Sequence, residues 1–396
     1  MRRVGRLAQA LPEGVHDPGF EVLLRRIDGA PILGGNRVET FFQGRHAFAS
    51  MRDAVACARR EILLESYIFK DDALGRGTLE ALAAASDRGV DVKVIADAIG
   101  SSETRSEFWQ EMRARGIEVH LFHPLFTHFW YQPFRDHRKI LVIDREVGFT
   151  GGMNIGEEYG SRHARPGETW RDSHVKVVGP AAWEMAVVFQ ESWLRAGGEP
   201  FEIEPLDAAL AEAPGARILT LDSRYRRGQA ESASVLAAIT AAAKERVWIT
   251  NAYFAPGHAA VRILGAAAKR GVDVRLLLPG KTDVPIARHA GHGFYARLLR
   301  RGVRIFEYQP SILHAKTLVA DSHVSVVGST NLDFRSFLFN SECNLVMLCP
   351  TTAAKLEQAF LADQEKSEEI HLGAWRDRPW LHRLGDRMAR LLAPVL

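Results

Sequence analysis

Two copies of one short pattern carry the residues of this chain that could do chemistry. The first runs His137-Arg-Lys139, four residues, Asp144, six residues, Gly151-Gly152-Met153-Asn154. The second runs His314-Ala-Lys316, four residues, Asp321, six residues, Gly328-Ser329-Thr330-Asn331, at a constant offset of 177. A lone His-x-Lys pair is common and means little; two long matches in the same order are a strong signal. The apolar runs 140–143 and 317–320 predict buried strands. Side chains alternate along a strand, so His137 and Lys139 share a face, as do His314 and Lys316. Each copy therefore offers an imidazole beside an ammonium. The Gly151-Gly152 and Gly328-Ser329 steps allow close backbone approach, and the amides of Asn154 and Asn331 add hydrogen-bond donors. Brought together about a pseudo-twofold axis, the two copies make a cradle for a tetrahedral anion, with an acid or base on either side.

Phosphoryl transfer needs such a set. Cationic and amide donors hold the non-bridging oxygens and stabilise the charge that develops in the transition state. One neutral imidazole can attack phosphorus while the opposite imidazolium protonates the leaving oxygen. Histidine serves both roles because its reference pKa is about 6.5. The lysines supply positive charge, so the chemistry calls for no metal and no cofactor.

The elements that must position these groups also come in duplicate. The strand-like runs Ile62-Leu-Leu-Glu-Ser-Tyr67 and Trp248-Ile-Thr-Asn-Ala-Tyr253 end on tyrosines 186 residues apart. Arg88-Gly-Val-Asp-Val92 recurs as Arg270-Gly-Val-Asp-Val274, and Arg115-Gly116-Ile117 as Arg301-Gly302-Val303. Each half reads strand, helix, strand, helix, strand, with the helices stopping at glycine. This alternation predicts an α/β fold with a largely parallel central sheet. The expected layout is an N-terminal extension (1–35), a first repeat (36–196), a linker rich in Pro, Gly and acidic residues (197–214), a second repeat (215–372) and an amphipathic tail (373–396). The two repeats are expected to pack face to face with one shared site at their seam.

These motifs resemble the phospholipase D superfamily, whose members carry the His-x-Lys-x4-Asp signature twice, and the resemblance covers nearly the whole chain. It implies two α/β/α repeats, a covalent phosphohistidine on His137 and His314 as general acid. It also implies an acidic residue against each histidine; the matching positions are Asp172, in Trp170-Arg-Asp172, and Glu342, in Asn340-Ser-Glu342. The candidate catalytic set is thus His137, Lys139, Asp144, His314, Lys316 and Asp321, with Asp144 and Asp321 read as supports rather than direct participants. Gly152, Asn154, Ser329, Asn331, Asp172 and Glu342 are the candidate phosphate-binding and supporting residues. Within the superfamily the chain is similar to bacterial cardiolipin synthases, in the form lacking N-terminal membrane spans. The segments that carry this are Gly151-Gly-Met-Asn154-Ile-Gly, Asn331-Leu-Asp333-Phe-Arg335-Ser336 and Trp375-Arg-Asp-Arg378-Pro379. The resemblance implies transfer of a phosphatidyl group onto phosphatidylglycerol, an anionic lipid. Hydrolysis to phosphatidic acid, or nuclease action, would use the same residues.

Composition is compatible with a lipid substrate without demanding it. The net charge of +3 is well mixed along the 396 residues, so nucleic acid is not an expected partner. The three cysteines, Cys57, Cys343 and Cys349, have no metal-ligand spacing and read as small buried residues. No apolar run approaches the ~18 residues of a spanning helix, so peripheral contact with the cell membrane, on its cytoplasmic side, is expected. Two segments suit that contact. The stretch before His137 is nine residues longer than the one before His314 and holds Leu125, Phe126, Phe129, Trp130, Tyr131 and Phe134. The tail repeats apolar and basic residues at helical spacing, the pattern either of an interfacial helix or of a helix packed on the second repeat.

Overall fold

The computed structural model describes residues 2–123, 134–160, 169–223 and 229–392. The first half contributes strands β1 (Ile32–Phe41), β2 (Glu61–Ser66), β3 (Asp91–Asp97), β4 (Glu118–Phe122), β5 (Lys139–Ile143), β6 (Val147–Gly151) and β7 (His174–Val178). The second contributes β8 (Ala216–Ser223), β9 (Arg246–Asn251), β10 (Asp273–Pro279), β11 (Arg304–Tyr308), β12 (Lys316–Ala320), β13 (Val324–Gly328), β14 (Glu342–Leu348) and a short edge strand β15 (Ser367–Glu369). The first half runs β4-β3-β2-β5-β6-β7-β1 and the second β11-β10-β9-β12-β13-β14-β8, the same order twice, joined through β1 and β8. The duplication read from the motifs is therefore a duplication of topology.

The expectation of a largely parallel sheet is corrected. Only β2-β3-β4 and β9-β10-β11 run parallel, and the other pairings among the described strands are antiparallel. The helical crossovers do give parallel neighbours. The motif strands, however, continue through three-residue turns, 144–146 and 321–323, into hairpins. In β5–β6 the first two turn residues, Asp144 and Arg145, have φ of 53° and 59°, and in β12–β13 Asp321 and Ser322 have 48° and 52°. Left-handed backbone at both positions matches the right-handed twist of the flanking strands. The helix stops read from sequence are present: Gly89 and Gly271, with φ of 86° and 95°, follow the helices Ala73–Ser86 and Gly257–Lys269.

Alternation along the strands separates two kinds of core. Leu141 and Ile143 of β5 pack outward with the helices Gly44–Ala56, Ala73–Ser86 and Ser106–Ala114. Ile140 and Val142 turn inward and meet Val319, Val327, Cys343, Leu345 and Met347 of the other half. The helices Pro180–Arg195 and Pro350–Gln364 line this shared layer, and β6 lies against β13 and β14. The halves thus pack face to face. In the segment expected to be an extension, the helices Arg2–Gln9 and Pro18–Asp28 pack on the helix Gln229–Ala242 of the second half. The tail helix Trp380–Leu392 packs along Pro285–Leu299, fastened by Asp386 to Arg378 (3.0 Å) and His289 (2.9 Å).

Candidate active site

The seam is stitched twice by the same crossed arrangement. Just before β5, the His137 amide donates to the Ser341 carbonyl (2.9 Å) and the Ser341 amide to the Arg135 carbonyl (2.8 Å). Just before β12, the His314 amide donates to the Arg171 carbonyl (2.8 Å) and the Arg171 amide to the Ile312 carbonyl (2.8 Å). Each histidine is thereby held beside the segment that carries an acidic residue in the opposite half. His137 Nδ1 lies 2.9 Å from Glu342 Oε2, and His314 Nδ1 lies 2.7 Å from Asp172 Oδ2. Bonding at Nδ1 orients both rings. The resemblance implied a carboxylate for each histidine; the crossing between halves emerges only from the fold.

The other residues named from sequence divide between the site and its frame. Lys139 Nζ donates to the His137 carbonyl (2.7 Å), and Lys316 Nζ stands 2.9 Å from His314 Nε2. Gly152 is fixed by Asp172: a Cβ there would lie 2.1 Å from the carboxylate oxygen, so only glycine leaves room. At the equivalent point Ser329 accepts from the Cys343 amide (3.0 Å), bracing the strand that begins with Glu342. Asn154 donates to the Tyr159 hydroxyl (2.8 Å) and accepts from the Ile68 amide (3.2 Å), so its amide is engaged in the frame. Asn331 Oδ1 is buried without a hydrogen-bond partner.

Asp144 and Asp321 sit apart from the reacting groups, at the far ends of β5 and β12. Five residues of extended chain span about 16 Å. Asp144 accepts from the amides of Arg59, Arg60 and Glu61 at 2.9, 2.7 and 3.0 Å. Asp321 accepts from Lys244, Glu245 and Arg246 at 2.7, 2.9 and 2.9 Å. Grouped with the catalytic set by the signature but read as supports, they are anchors that tie each hairpin to the start of β2 or β9.

Burial dominates the electrostatics. His137 is driven well below the usual imidazole range by burial, then by Lys139, Lys316, His314 and Arg335. His314 is pushed down to about 4 by burial and Lys316, against the upward pull of Asp172. Burial lowers Lys139 to about 7 and Lys316 to about 8. The two carboxylates diverge. Burial raises Glu342 to about 7, whereas at Asp172 the same burial is outweighed by His314 and Lys316, and the pKa falls. The imidazoles and ammoniums are thus lowered first by burial, which disfavours their charged forms, while the carboxylates around the lysines pull the other way.

Several contributors escaped the sequence reading. Tyr67 stands edge-on to His137 at 4.9 Å, and Trp170, Tyr159 and Tyr253 surround His314 at 5.3, 5.4 and 5.9 Å. The repeated tyrosine was the available signal, although pairing puts Ser66 opposite Lys139 and Asn251 opposite Lys316, so Tyr67 and Tyr253 stand one residue out of register. Arg135 forms a fully buried ion pair with Asp97 (2.6 Å), which also accepts from the Asp136 amide (2.9 Å) and steadies the approach to His137. Most of the aromatic stretch before His137 lies outside the described residues; Phe134 packs 5.7 Å from Phe339. Among the described residues, the one cluster with metal-ligand spacing is His289, His292 and Asp386, under the tail helix rather than at the seam.

Comparison with known proteins agrees with this architecture. The family model described as cardiolipin synthase, PLD-like domain, matches residues 51–163 and 235–364. The cardiolipin synthase of Halalkalibacterium halodurans is 31% identical over 391 residues, covering 97% of this chain and 77% of that protein. Cardiolipin synthase A of Pseudomonas putida is 35% identical, over 94% of this chain and 77% of its own length. The crystal structure of phosphatidylserine synthase from Haemophilus influenzae superposes with a TM-score of 0.75 over 100% of this chain and 99% of that one, at 14% identity, and so shares the fold. The chain is therefore a member of the cardiolipin synthase family of phospholipase D-like enzymes.

Proposed function

We propose that this enzyme is a phosphatidyltransferase that makes cardiolipin from phosphatidylglycerol through a covalent phosphatidyl-histidine. The observation that carries the reading is the pair of carboxylate-oriented imidazoles on two buried ammoniums, in a chain whose relatives over most of their length are cardiolipin synthases. His137 Nε2 attacks phosphorus of the donor lipid, the bond from phosphorus to the leaving alkoxide breaks, and His314 gives that oxygen its proton. The hydroxyl of a second phosphatidylglycerol then loses its proton to His314 and attacks phosphorus. The phosphorus–nitrogen bond breaks and His137 is restored. Lys139, Lys316 and the Asn331 amide are the proposed partners of the non-bridging oxygens.

The assignment of roles has an electrostatic basis. An attacking imidazole must be neutral, and His137 faces Glu342, a carboxyl raised by burial that favours a proton of its own. A general acid must hold a proton, and His314 faces Asp172, whose carboxylate stays ionised. A bound phosphodiester anion adds negative charge beside both rings and raises their proton affinity.

A lipid substrate requires contact with a membrane. No described helix is long and apolar enough to cross one. Peripheral docking is supported by the tail helix, where Trp380, Leu384 and Met388 recur every fourth residue and are 64%, 46% and 58% exposed. Such a stripe suits the interface plane, on the cytoplasmic side in this proposal, with nucleic acid not a partner.

The test is incubation with phosphatidylglycerol in mixed micelles containing EDTA, with products identified by mass spectrometry. Cardiolipin formed by the wild type and absent with His137→Ala is the expected result. Phosphatidic acid alone would replace the transferase reading by hydrolysis, and failure to trap phosphate on His137 would remove the covalent step.

A further inference from the structure

Each half holds an apolar groove on the outer side of its half-sheet, against the signature strand. In the second half it has a volume of about 510 Å³ and lies between the helices Gln229–Ala242 and Gly257–Lys269, above β9 and β12. In the first half the counterpart measures about 250 Å³, between Gly44–Ala56 and Ala73–Ser86, above β2 and β5. Both include the lysine of the signature in their walls, Lys316 in one and Lys139 in the other. Strand register explains this. Lys316 shares its face of β12 with Leu318 and Ala320, which belong to the outer core, while Val319 faces the seam. The ammonium thus stands where the phosphoryl site and the outer groove meet.

The larger groove gathers polar groups around Lys316, with Thr240 and His258 the further polar side chains on its helices. Lys316 is accompanied there by Asn251, Thr330 and Asn344, and the remaining walls are mainly apolar, among them Leu236, Ile263, Phe334 and Phe337. Those four are partly open to solvent, and Leu338 at the rim is 41% exposed. Apolar surface left open to water is costly unless a ligand covers it. A polar end at a phosphate-binding lysine, followed by an apolar trough, matches a phosphodiester joined to a hydrocarbon chain. The volume of 510 Å³ falls in the usual range of ligand sites, about 300 to 1,000 Å³, whereas 250 Å³ lies below it.

We infer that the groove of the second half is an acyl-chain subsite: it takes one hydrocarbon tail of the lipid whose phosphate the two lysines hold, with Lys316 at the junction of headgroup and tail. The inference rests on the reading of a phospholipid substrate. It assigns a role to Leu236, Ile263, Phe334 and Phe337, which take no part in the proposed chemistry.

Phosphatidylglycerol carrying a diazirine at the end of its acyl chain, photolysed with the wild-type protein in mixed micelles, is the direct test. Adducts are expected in peptides covering 229–242, 257–269 or 334–338. Adducts confined to 44–56 and 73–86, or to the tail 380–392, overturn the inference. If the wild type makes cardiolipin while the label falls elsewhere, the groove is wrong and the activity stands. If the label falls in the groove and no cardiolipin forms, the subsite stands and the acceptor is wrong. As a second measurement, Leu236→Trp and Ile263→Trp narrow the partly exposed mouth. Each is expected to lower kcat/KM for dioleoyl phosphatidylglycerol about tenfold, the cost of leaving two methylenes unburied, and to spare monomeric dihexanoyl phosphatidylglycerol. Equal loss on both lipids, or no loss on either, refutes it.

Discussion

Replacing Asp321 by alanine separates what the signature suggests from what the fold uses. The carboxylate accepts three backbone amides, from Lys244, Glu245 and Arg246, in a partly buried position. Hydrogen bonds to a charged group contribute about 1.5 to 3 kcal/mol each, and water at the rim replaces part of that, leaving a loss of about 1 kcal/mol per amide. Residue 321 also has a φ of 48°, which costs alanine roughly a further 1 kcal/mol where aspartate is tolerated. The sum is about 4 kcal/mol, or a fall in melting temperature of roughly 8 °C for a large domain. Asp321→Asn keeps the left-handed residue and an acceptor for two of the amides, so it should lose less than half as much. The assay is thermal unfolding beside kcat measured well below the transition. Expected are a lowered Tm, kcat within about threefold of wild type and intact capture of phosphate on His137. A hundredfold fall in kcat with an unchanged Tm would refute the reasoning and return Asp321 to the reacting groups. In cells the destabilised variant would look like a catalytic knockout, so the two measurements must be made together.

The other expectations follow from the same geometry. Asp172→Asn should cost about a hundredfold or more in kcat on lipid, yet much less on a p-nitrophenyl phosphodiester whose leaving group needs no proton; an equal loss on both would remove His314 as the acid. Lys316 is pushed from 10.5 down to about 8, so its charge costs the empty site roughly 3 kcal/mol. Lys316→Met should therefore raise the Tm of the free protein while abolishing the stabilisation given by tungstate, and a lowered Tm would contradict this. Because the free-enzyme lysines titrate at about 7 and 8, rising pH removes the charges that bind phosphate. The ratio kcat/KM should fall as pH climbs through that window, and a flat profile up to pH 9.5 would show that the ammoniums are not required.

The chemistry was legible because its residues lie close together in the chain. His137 and Lys139 share a strand face whatever surrounds them, and the repeat at 177 supplied the second pair. The sheet was misread because the helix-to-strand alternation of β2–β4 was extended to β5 and β6. There the turn signals were Asp144-Arg145 and Asp321-Ser322 rather than the commoner Asn-Gly. That Asp144 is a support was legible, but what it supports was not: its partners are backbone amides some 85 residues away, and amides carry no sequence signature. Tyr67 and Tyr253 were noticed as markers of the repeat, but only packing shows them against imidazoles.

The exchange of carboxylates between halves decides what a functional unit is in this enzyme. Glu342 serves His137 and Asp172 serves His314, so neither repeat expressed alone contains one complete dyad. A single ancestral copy could have built this site only as a symmetric homodimer, with the linker between the halves a later convenience. Two fragments divided in that linker and co-expressed should complement each other in trans. Genetic distance then misleads: His137→Ala and Glu342→Gln, 205 residues apart, damage one dyad and should combine less than additively. His137→Ala and Asp172→Asn, only 35 residues apart, disable both.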